Sequence, residues 1–184
     1  NYLGQGTGFT TPPLAESTVY WVEEGPSVVA PLPTTFLGGS TGYGNMFDLT
    51  ASQTVVITGF EGHLSAGNSN NLEIYYKKGT YAGYENDAAA WTLLGSANGI
   101  TGEGIGLPTP YPIGFNLAIA AGNTYAFYIT SKTEGINYTF GTNVGDIFVE
   151  DDHIKIAEGI AIAYPFGDAV EPIRWNGIVH YQAI

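Results

Sequence analysis

The stretch that decides the fold runs from Asn71 to Ser96 and reads NLEIYYKKGTYAGYENDAAAWTLLGS. Its two ends, Leu72–Lys78 and Trp91–Ser96, are rich in aromatic and branched residues, which favour β-strands. Between them lies a loop of tyrosines, glycines and carboxylates. The pattern predicts two strands joined by this loop. The core residues predicted for the pair are Ile74, Tyr76, Trp91 and Leu93.

Segments of the same character recur along the whole chain and are separated by glycine- and proline-rich turns. They predict about ten strands. The longest helix that the sequence favours is a single turn at Asp87–Trp91. We therefore expect an all-β fold, an antiparallel two-sheet β-sandwich of jelly-roll type, with a closed barrel as the alternative. The strands outside the opening stretch are predicted at Thr18–Val22, Met46–Thr50, Thr54–Leu64, Ile113–Ile119, Thr124–Thr130, Ile136–Phe140, Ile147–Glu150, Ile154–Ala157, Ile160–Ala163 and Ile173–Tyr181.

Alternation within Thr54–Leu64 predicts which side chains share a face, because successive residues of a strand point to opposite sides. One predicted face carries Val55, Ile57 and Gly59. The opposite face carries Val56, Thr58 and Phe60.

The length of 184 residues fits one domain. Residues 1–17, NYLGQGTGFTTPPLAES, show no apolar alternation and predict an extended N-terminal arm, so residues 18–184 form the sandwich. Such an arm either adds a strand to a neighbouring subunit, which builds filaments when the contact does not close, or folds back on its own domain.

The chain carries 17 acidic and 5 basic residues, a net charge of −12. This charge argues against nucleic acid and anionic membranes as partners, whereas divalent cations and neutral glycans remain compatible with it. There is no cysteine, and no apolar run of about 18 residues that would span a membrane. The chain begins at Asn1, and together these features predict a secreted bacterial protein.

The loop of the opening stretch is the first candidate ligand site. Exposed aromatic rings offer flat faces to sugars, and adjacent carboxylates accept hydrogen bonds from sugar hydroxyls. The alternative is that these tyrosines pack on the rim of the core while the acids are solvated. The candidate ligand-binding residues are Tyr81, Tyr84, Glu85, Asp87, Trp91 and Trp175.

A second candidate is an acidic group that would suit calcium, which prefers oxygen ligands. Its members are Asp146, Glu150, Asp151 and Asp152, and the alternative is a solvated turn. The three histidines, at 63, 153 and 180, lack zinc-binding spacing and are assigned structural or surface roles. No serine-nucleophile motif occurs, so we predict a protein that is not an enzyme.

Several phrases of the sequence, in order, resemble an uncharacterised β-sandwich domain of secreted and surface proteins from Bacteroidetes-like and other aquatic bacteria. They span about residues 36–181. The resemblance implies an accessory module that accompanies sorting signals and adhesive repeats, with no established reaction. The matching phrases lie at residues 44–51, 73–77, 79–85, 90–95, 121–128, 154–156, 159, 164–167 and 175–177.

These observations predict a structural or adhesive subunit at the bacterial cell surface that self-associates through its N-terminal arm. The alternative is a lectin-like carbohydrate-binding module, assisted by calcium, whose partner is a surface glycan.

Overall fold

The computed structural model describes residues 31–184 and the backbone of Ser27–Val28. These residues form sixteen strands, numbered along the chain, and one short 3-10 helix, Ala88–Ala90. No helix within them has the length and hydropathy needed to cross a membrane. The predicted arm, residues 1–17, and the predicted strand Thr18–Val22 lie outside the described residues.

The strands form two antiparallel sheets, so the predicted β-sandwich is confirmed. The small sheet contains β1 (Ser27–Val28), β2 (Leu32–Pro33), β5 (Val55–Gly62), β8 (Thr109–Pro110), β9 (Leu117–Ile119) and β16 (Gly177–Ala183). The large sheet contains β3 (Ser40–Gly42), β4 (Gly44–Ala51), β6 (Ser69–Lys78), β7 (Thr92–Thr101), β10 (Thr124–Ser131), β11 (Ile136–Phe140), β12 (Ile147–Glu150), β13 (Ile154–Ala157), β14 (Gly159–Ile162) and β15 (Ala169–Trp175).

The main core lies between the inner faces of the two sheets and is dominated by stacked aromatic rings. Phe47 and Trp175 from the large sheet stack with their centroids 4.6 Å apart. Phe60 from the small sheet meets Phe127 edge to face at 5.1 Å. These rings are at most 1% exposed, and aromatic pairs add to the stability gained by removing their surface from water. The core is thus shared by both sheets.

The predicted strand pair around the opening stretch is confirmed, with β6 and β7 joined by residues 79–91. Strand β6 also pairs with β10, which lies between β6 and β4 and is buried over most of its length. Ile74 is buried in the main core as predicted. Leu93, in contrast, is 48% exposed, because β7 is the last strand of the large sheet, and its prediction as a core residue is wrong.

The predicted alternation in the fifth strand is wrong at its second half. Val55, Ile57 and Phe60 all point into the core, although simple alternation placed Phe60 on the opposite face. The reason is a one-residue shift in the pairing of β5 with β16, where Ile57 faces Tyr181 but Gly59 faces His180. The additional residue, Thr58, forms a β-bulge, which rotates the following side chains to the other side.

The predicted closing strand Ile173–Tyr181 is in fact two strands in different sheets. Strand β15 belongs to the large sheet and ends at Trp175. Strand β16 belongs to the small sheet and begins at Gly177. The single residue between them, Asn176, is fully buried, and its side-chain amide lies 3.0 Å from His63 Nδ1. Burial lowers the pKa of His63, so the corner is built from neutral groups.

Glycine at 177 is required by this corner. A Cβ there would collide with the ring of Trp175, so the chain can turn from one sheet to the other only without a side chain.

Candidate functional site

The loop between β6 and β7, residues 79–91, is fastened to the outer face of the large sheet. The backbone N–H of Tyr81 donates to Asp48 Oδ1 on β4 at 3.1 Å. Asn86 Nδ2 donates to the carbonyl oxygens of Phe166 and Gly167, at 2.7 and 2.8 Å. These bonds connect the loop to two distant parts of the chain, so its conformation is defined by the fold.

Beneath this loop lies a second apolar cluster, which we call the outer cluster. It consists of Met46, Tyr75, Tyr81, Ala90, Trp91, Ala126, Tyr128, Ile160, Ile162 and Phe166. Tyr128 is its centre, fully buried, with the ring of Phe166 at 4.9 Å and that of Trp91 at 6.0 Å. The outer cluster covers the face of the large sheet that simple alternation would leave to solvent.

The structure places three of the four candidate stacking rings out of reach of a ligand. Tyr81 and Trp91 are 4% and 7% exposed within the outer cluster, and Trp175 is fully buried in the main core. A sugar stacks on an exposed ring face, and these three rings present none among the described residues. Tyr84 is 44% exposed, and the Lys77 ammonium lies 4.1 Å from its ring centroid, which occupies one of its two faces.

The indole of Trp91 holds the tip of the loop. Its Nε1–H donates to the carbonyl oxygen of Tyr84 at 2.9 Å. The buried ring therefore fixes the position of the exposed one.

The two carboxylates of the loop stabilise its own turns. Glu85 Oε1 accepts a hydrogen bond from the backbone N–H of Gly83 at 3.0 Å. Asp87 caps the short 3-10 helix, its Oδ1 accepting from the N–H of Ala89 at 3.1 Å. A carboxylate oxygen at the first turn of a helix satisfies a free N–H group there. Both acids have local structural roles that the sequence did not indicate.

Two groups beneath the loop have raised pKa values. Burial raises the pKa of Asp48, although hydrogen bonds from Thr80 and from the Tyr81 N–H, and the charge of Lys77, oppose the rise. Burial also raises the pKa of the Tyr81 hydroxyl, and the carboxylates of Asp48, Glu171 and Glu85 raise it further. Both shifts disfavour an ionised group under the loop.

The four acids of the candidate calcium site point to different partners. Asp146 Oδ2 accepts from Asn143 Nδ2 at 3.0 Å, and Glu150 pairs with Lys155 at 3.0 Å. Asp151 accepts from the N–H groups of residues 153 and 154 and from the Tyr181 hydroxyl. Asp152 is exposed. Within residues 31–184 no three acidic or histidine side chains are arranged to hold a metal ion, so the predicted site is not assembled there.

Sequence reasoning missed the residues that fasten the loop. Asp48 interrupts the otherwise apolar segment Met46–Leu49, and a polar residue in such a strand is a usable signal for a buried hydrogen-bond anchor. Phe166 lies in a Tyr-Pro-Phe-Gly turn 75 residues after Trp91 and carried no local signal. Only the folded chain brings it to the outer cluster.

The free edge of β7 is the second candidate surface. Among the described residues β7 pairs only with β6, so one side of its backbone is available along ten residues. Its sequence, TLLGSANGIT, contains no charged residue and no proline, the features that usually protect an edge strand from pairing. Two register shifts in its pairing with β6 bend it, but they do not cover it.

Neither a scan against protein-family models nor a search of curated proteins found a match to this sequence.

Proposed function

We propose that the protein is a secreted, non-enzymatic structural or adhesive subunit that self-associates by strand addition at the free β7 edge. The added strand is the N-terminal segment, residues 1–17, of a neighbouring copy. Main-chain hydrogen bonds supply the affinity in such a contact, and side chains on alternate positions set the register.

The observation that carries the proposal is the β7 edge, with which no other described strand pairs and which carries neither charge nor proline. An edge of ten residues without charge or proline is rare in proteins that remain separate, because it invites pairing with another chain. Leu93, half exposed on this strand, adds apolar surface to the contact.

The charge distribution supports the same pairing. Two copies that each carry a net charge of −12 repel one another, so contact is least costly where charge is absent. Strand β7 has no charged side chain, and residues 1–17 have a single one, Glu16. Residues 1–11 contain no proline that would interrupt backbone pairing. The segment is also long enough to extend along the ten residues of β7.

The alternative, a carbohydrate-binding module built on the β6–β7 loop, has less support. Of the rings proposed as stacking platforms, Tyr84 alone is exposed, and Lys77 covers one of its faces.

The test is size-exclusion chromatography with light scattering on the full chain and on two variants. One variant lacks residues 1–17, and the other carries Leu93→Lys and Ser96→Lys, two exposed β7 positions. Wild-type protein is expected to form large species, and both variants are expected to be monomers, because one lacks the donor strand and the other charges the acceptor edge.

The matched control is Leu107→Lys, an exposed leucine outside β7, which is expected to assemble like the wild type. A monomeric wild type, or unchanged assembly in either variant, contradicts the proposal. Loss of assembly in the β7 variant alone would assign the contact to β7 edges pairing with each other.

A further inference from the structure

A cleft of about 410 Å³ lies at the small sheet. One wall comes from β5 and β16, with Thr58, Glu61 and His180. The other wall consists of Pro110 of β8 and the segment that follows it, with Pro112 and Gly114. The volume falls within the range of about 300–1,000 Å³ that is usual for small-molecule sites.

The cleft exists because the strand ladder opens there. Strand β5 pairs with β9 at Val55–Ile57 and with β8 at Glu61–Gly62, and Thr58–Phe60 lies between these pairings. In this gap the Tyr111 N–H donates to the Phe60 carbonyl oxygen at 3.1 Å. The β-bulge at Thr58 falls in the same gap, and bulges are frequent beside binding sites because they redirect side chains.

Two glycines of the cleft are not explained by the fold. A Cβ at Gly59 or Gly114 would meet no atom within 4 Å, and neither residue has the positive φ that favours glycine. Among the described glycines one other, Gly39, shares both properties. Glycine weakens a strand, and in a strand it often marks a place where something else approaches the backbone closely. Packing of the chain therefore gives no reason for glycine at Gly59 or Gly114, both of which line the cleft.

The polar wall offers several hydrogen-bond acceptors. His180 Nε2 lies 2.8 Å from Glu61 Oε1, and because a carboxylate only accepts, Nε2 carries the proton. Nδ1 then accepts a hydrogen bond when the imidazole is neutral and donates one when it is protonated, and a sugar hydroxyl can serve either role. Within residues 31–184, Glu61 Oε2, His180 Nδ1 and the Thr58 hydroxyl have no hydrogen-bond partner, and the side chains of Glu61 and His180 are 20% and 37% exposed.

We propose that this cleft, the Glu61–His180 cleft, binds a small neutral polyhydroxylated ligand such as a single sugar residue. Its hydroxyl groups donate to Glu61 Oε2 and His180 Nδ1 and exchange a hydrogen bond with Thr58. Its C–H face lies against the rings of Pro110 and Pro112. This is a mixed wall of polar and apolar groups, which is the usual design of a site for a ligand with both kinds of surface.

The spacing of the acceptors distinguishes this ligand from a cation. Thr58 and Glu61 are three residues apart on β5, which separates their Cα atoms by up to about 10 Å at the rise of a strand. A single ammonium group has its donors within one atom and cannot reach both ends, whereas a polyol has donors along its length. An anion is disfavoured by the Glu61 carboxylate and the net charge of −12.

The test is saturation-transfer NMR on the full chain with separate probes: glucose, galactose, mannose, N-acetylglucosamine and n-butylamine. At least one sugar is expected to bind the wild type weakly, because the cleft is open to solvent. In Gly59→Val the branched side chain fills the room in the cleft, and affinity is expected to fall about ten-fold or more, which corresponds to about 1.4 kcal/mol. Thermal stability is expected to hold or rise, since valine suits a strand better than glycine.

Two further variants make the result decisive. Gly39→Val is the matched control, a glycine with equal room outside the cleft, and is expected to bind as the wild type does. Glu61→Gln replaces one carboxylate oxygen by an amide donor and is expected to weaken sugar binding several-fold. If Gly59→Val does not fold, Gly114→Ala takes its place with the same expected loss.

The proposal is overturned if none of the sugars binds, or if Gly59→Val, or Gly114→Ala in its place, binds them as the wild type does. Binding of butylamine without sugar, lost in Glu61→Gln, also overturns it, in favour of an amine site. The Leu93→Lys, Ser96→Lys variant is expected to bind the sugar as the wild type does. Sugar binding and self-association at β7 can therefore fail separately.

Discussion

The outer faces of the two sheets differ in how their loops are held. On the large sheet the β6–β7 loop is fastened by buried aromatic rings and by Asp48, so its polar residues hold its own shape. On the small sheet the segment after β8 contacts β5 through the Tyr111–Phe60 backbone hydrogen bond but leaves the Glu61–His180 cleft open. A loop rich in tyrosine, glycine and acids can therefore be mainly structural, while a less conspicuous proline segment borders the open cleft.

The difference follows from what each strand presents outward. The outward residues of the large sheet include Met46, Tyr128 and Ile160, and such apolar surface must be covered. The small sheet presents Val56, His180 and Gln182, which tolerate water. The β6–β7 loop covers the apolar outer face of the large sheet.

Trp91→Ala has the largest expected effect and tests whether the β6–β7 loop stabilises the large sheet. The ring is 7% exposed and also holds the tip of the loop, so we expect a loss of about 3 kcal/mol in the free energy of unfolding. The measurement is urea unfolding followed by circular dichroism, with protease cleavage within the loop as a local readout.

Two controls belong with this variant. Tyr84→Ala, on the exposed tip of the same loop, is expected to change stability by less than about 0.5 kcal/mol. Val56→Ala, on the outer face of the small sheet, is expected to cost less than about 1 kcal/mol. Equal costs for Trp91 and Val56 would mean that the two faces do not differ in the way described.

A smaller effect is expected at Glu158, which anchors a second loop of the large sheet, residues 141–146. The buried carboxylate accepts from Arg174 Nε at 2.7 Å and from the N–H groups of Thr142 and Asn143. Burial alone would raise the pKa of Glu158, but these donors and the charge of Arg174 outweigh it and lower the pKa. Glu158→Gln is expected to cost about 2 kcal/mol at neutral pH, a typical value for hydrogen bonds to a charged group.

The pH dependence of this contribution has a definite sign. Because the folded pKa of Glu158 is lowered, its stabilisation is present above the unfolded pKa, about 4.3, and is lost as the pH falls through the folded value. Urea unfolding at neutral and acid pH should show wild type and Glu158→Gln converging in acid. A constant difference between them at all pH values would contradict this assignment.

The smallest expected effect is a gain, from Asp48→Asn. The pKa of Asp48 is raised by burial, so the ionised carboxylate costs stability above the folded pKa and the cost is relieved as the pH falls through that value. Asparagine keeps the acceptor for the Tyr81 N–H without the charge, and about 0.5 kcal/mol of stabilisation is expected at neutral pH. The gain should disappear in acid, and destabilisation at neutral pH would mean that the Lys77 charge dominates.

The sequence was sufficient for the elements whose pattern is local. The pairing around residues 79–91 and the strands Ile136–Phe140, Ile147–Glu150 and Ile154–Ala157 agree with the structure, because alternation and turn residues define them. Alternation failed at Phe60, where the β-bulge depends on the pairing with β16. It failed again at residues 173–181, where a corner without a turn motif divides the apolar run.

The sites were less predictable than the fold. Exposure of an aromatic ring depends on what folds over it, and Trp175 is buried although its position near the C-terminus gave no sign of this. Glu61 and His180 are 119 residues apart in the sequence and meet only because β5 pairs with β16. A hydrogen-bonded pair of this kind has no signature in the order of residues.

The corner at Asn176 gives the molecule a defined path for mechanical load. It joins β15, which pairs with β11 and β14 of the large sheet, to β16, which pairs with β1, β2 and β5 of the small sheet. Because the joint is one residue long and fully buried, it contains no slack. Tension on β16 passes directly into β15, and from there across the hydrogen-bonded width of the large sheet.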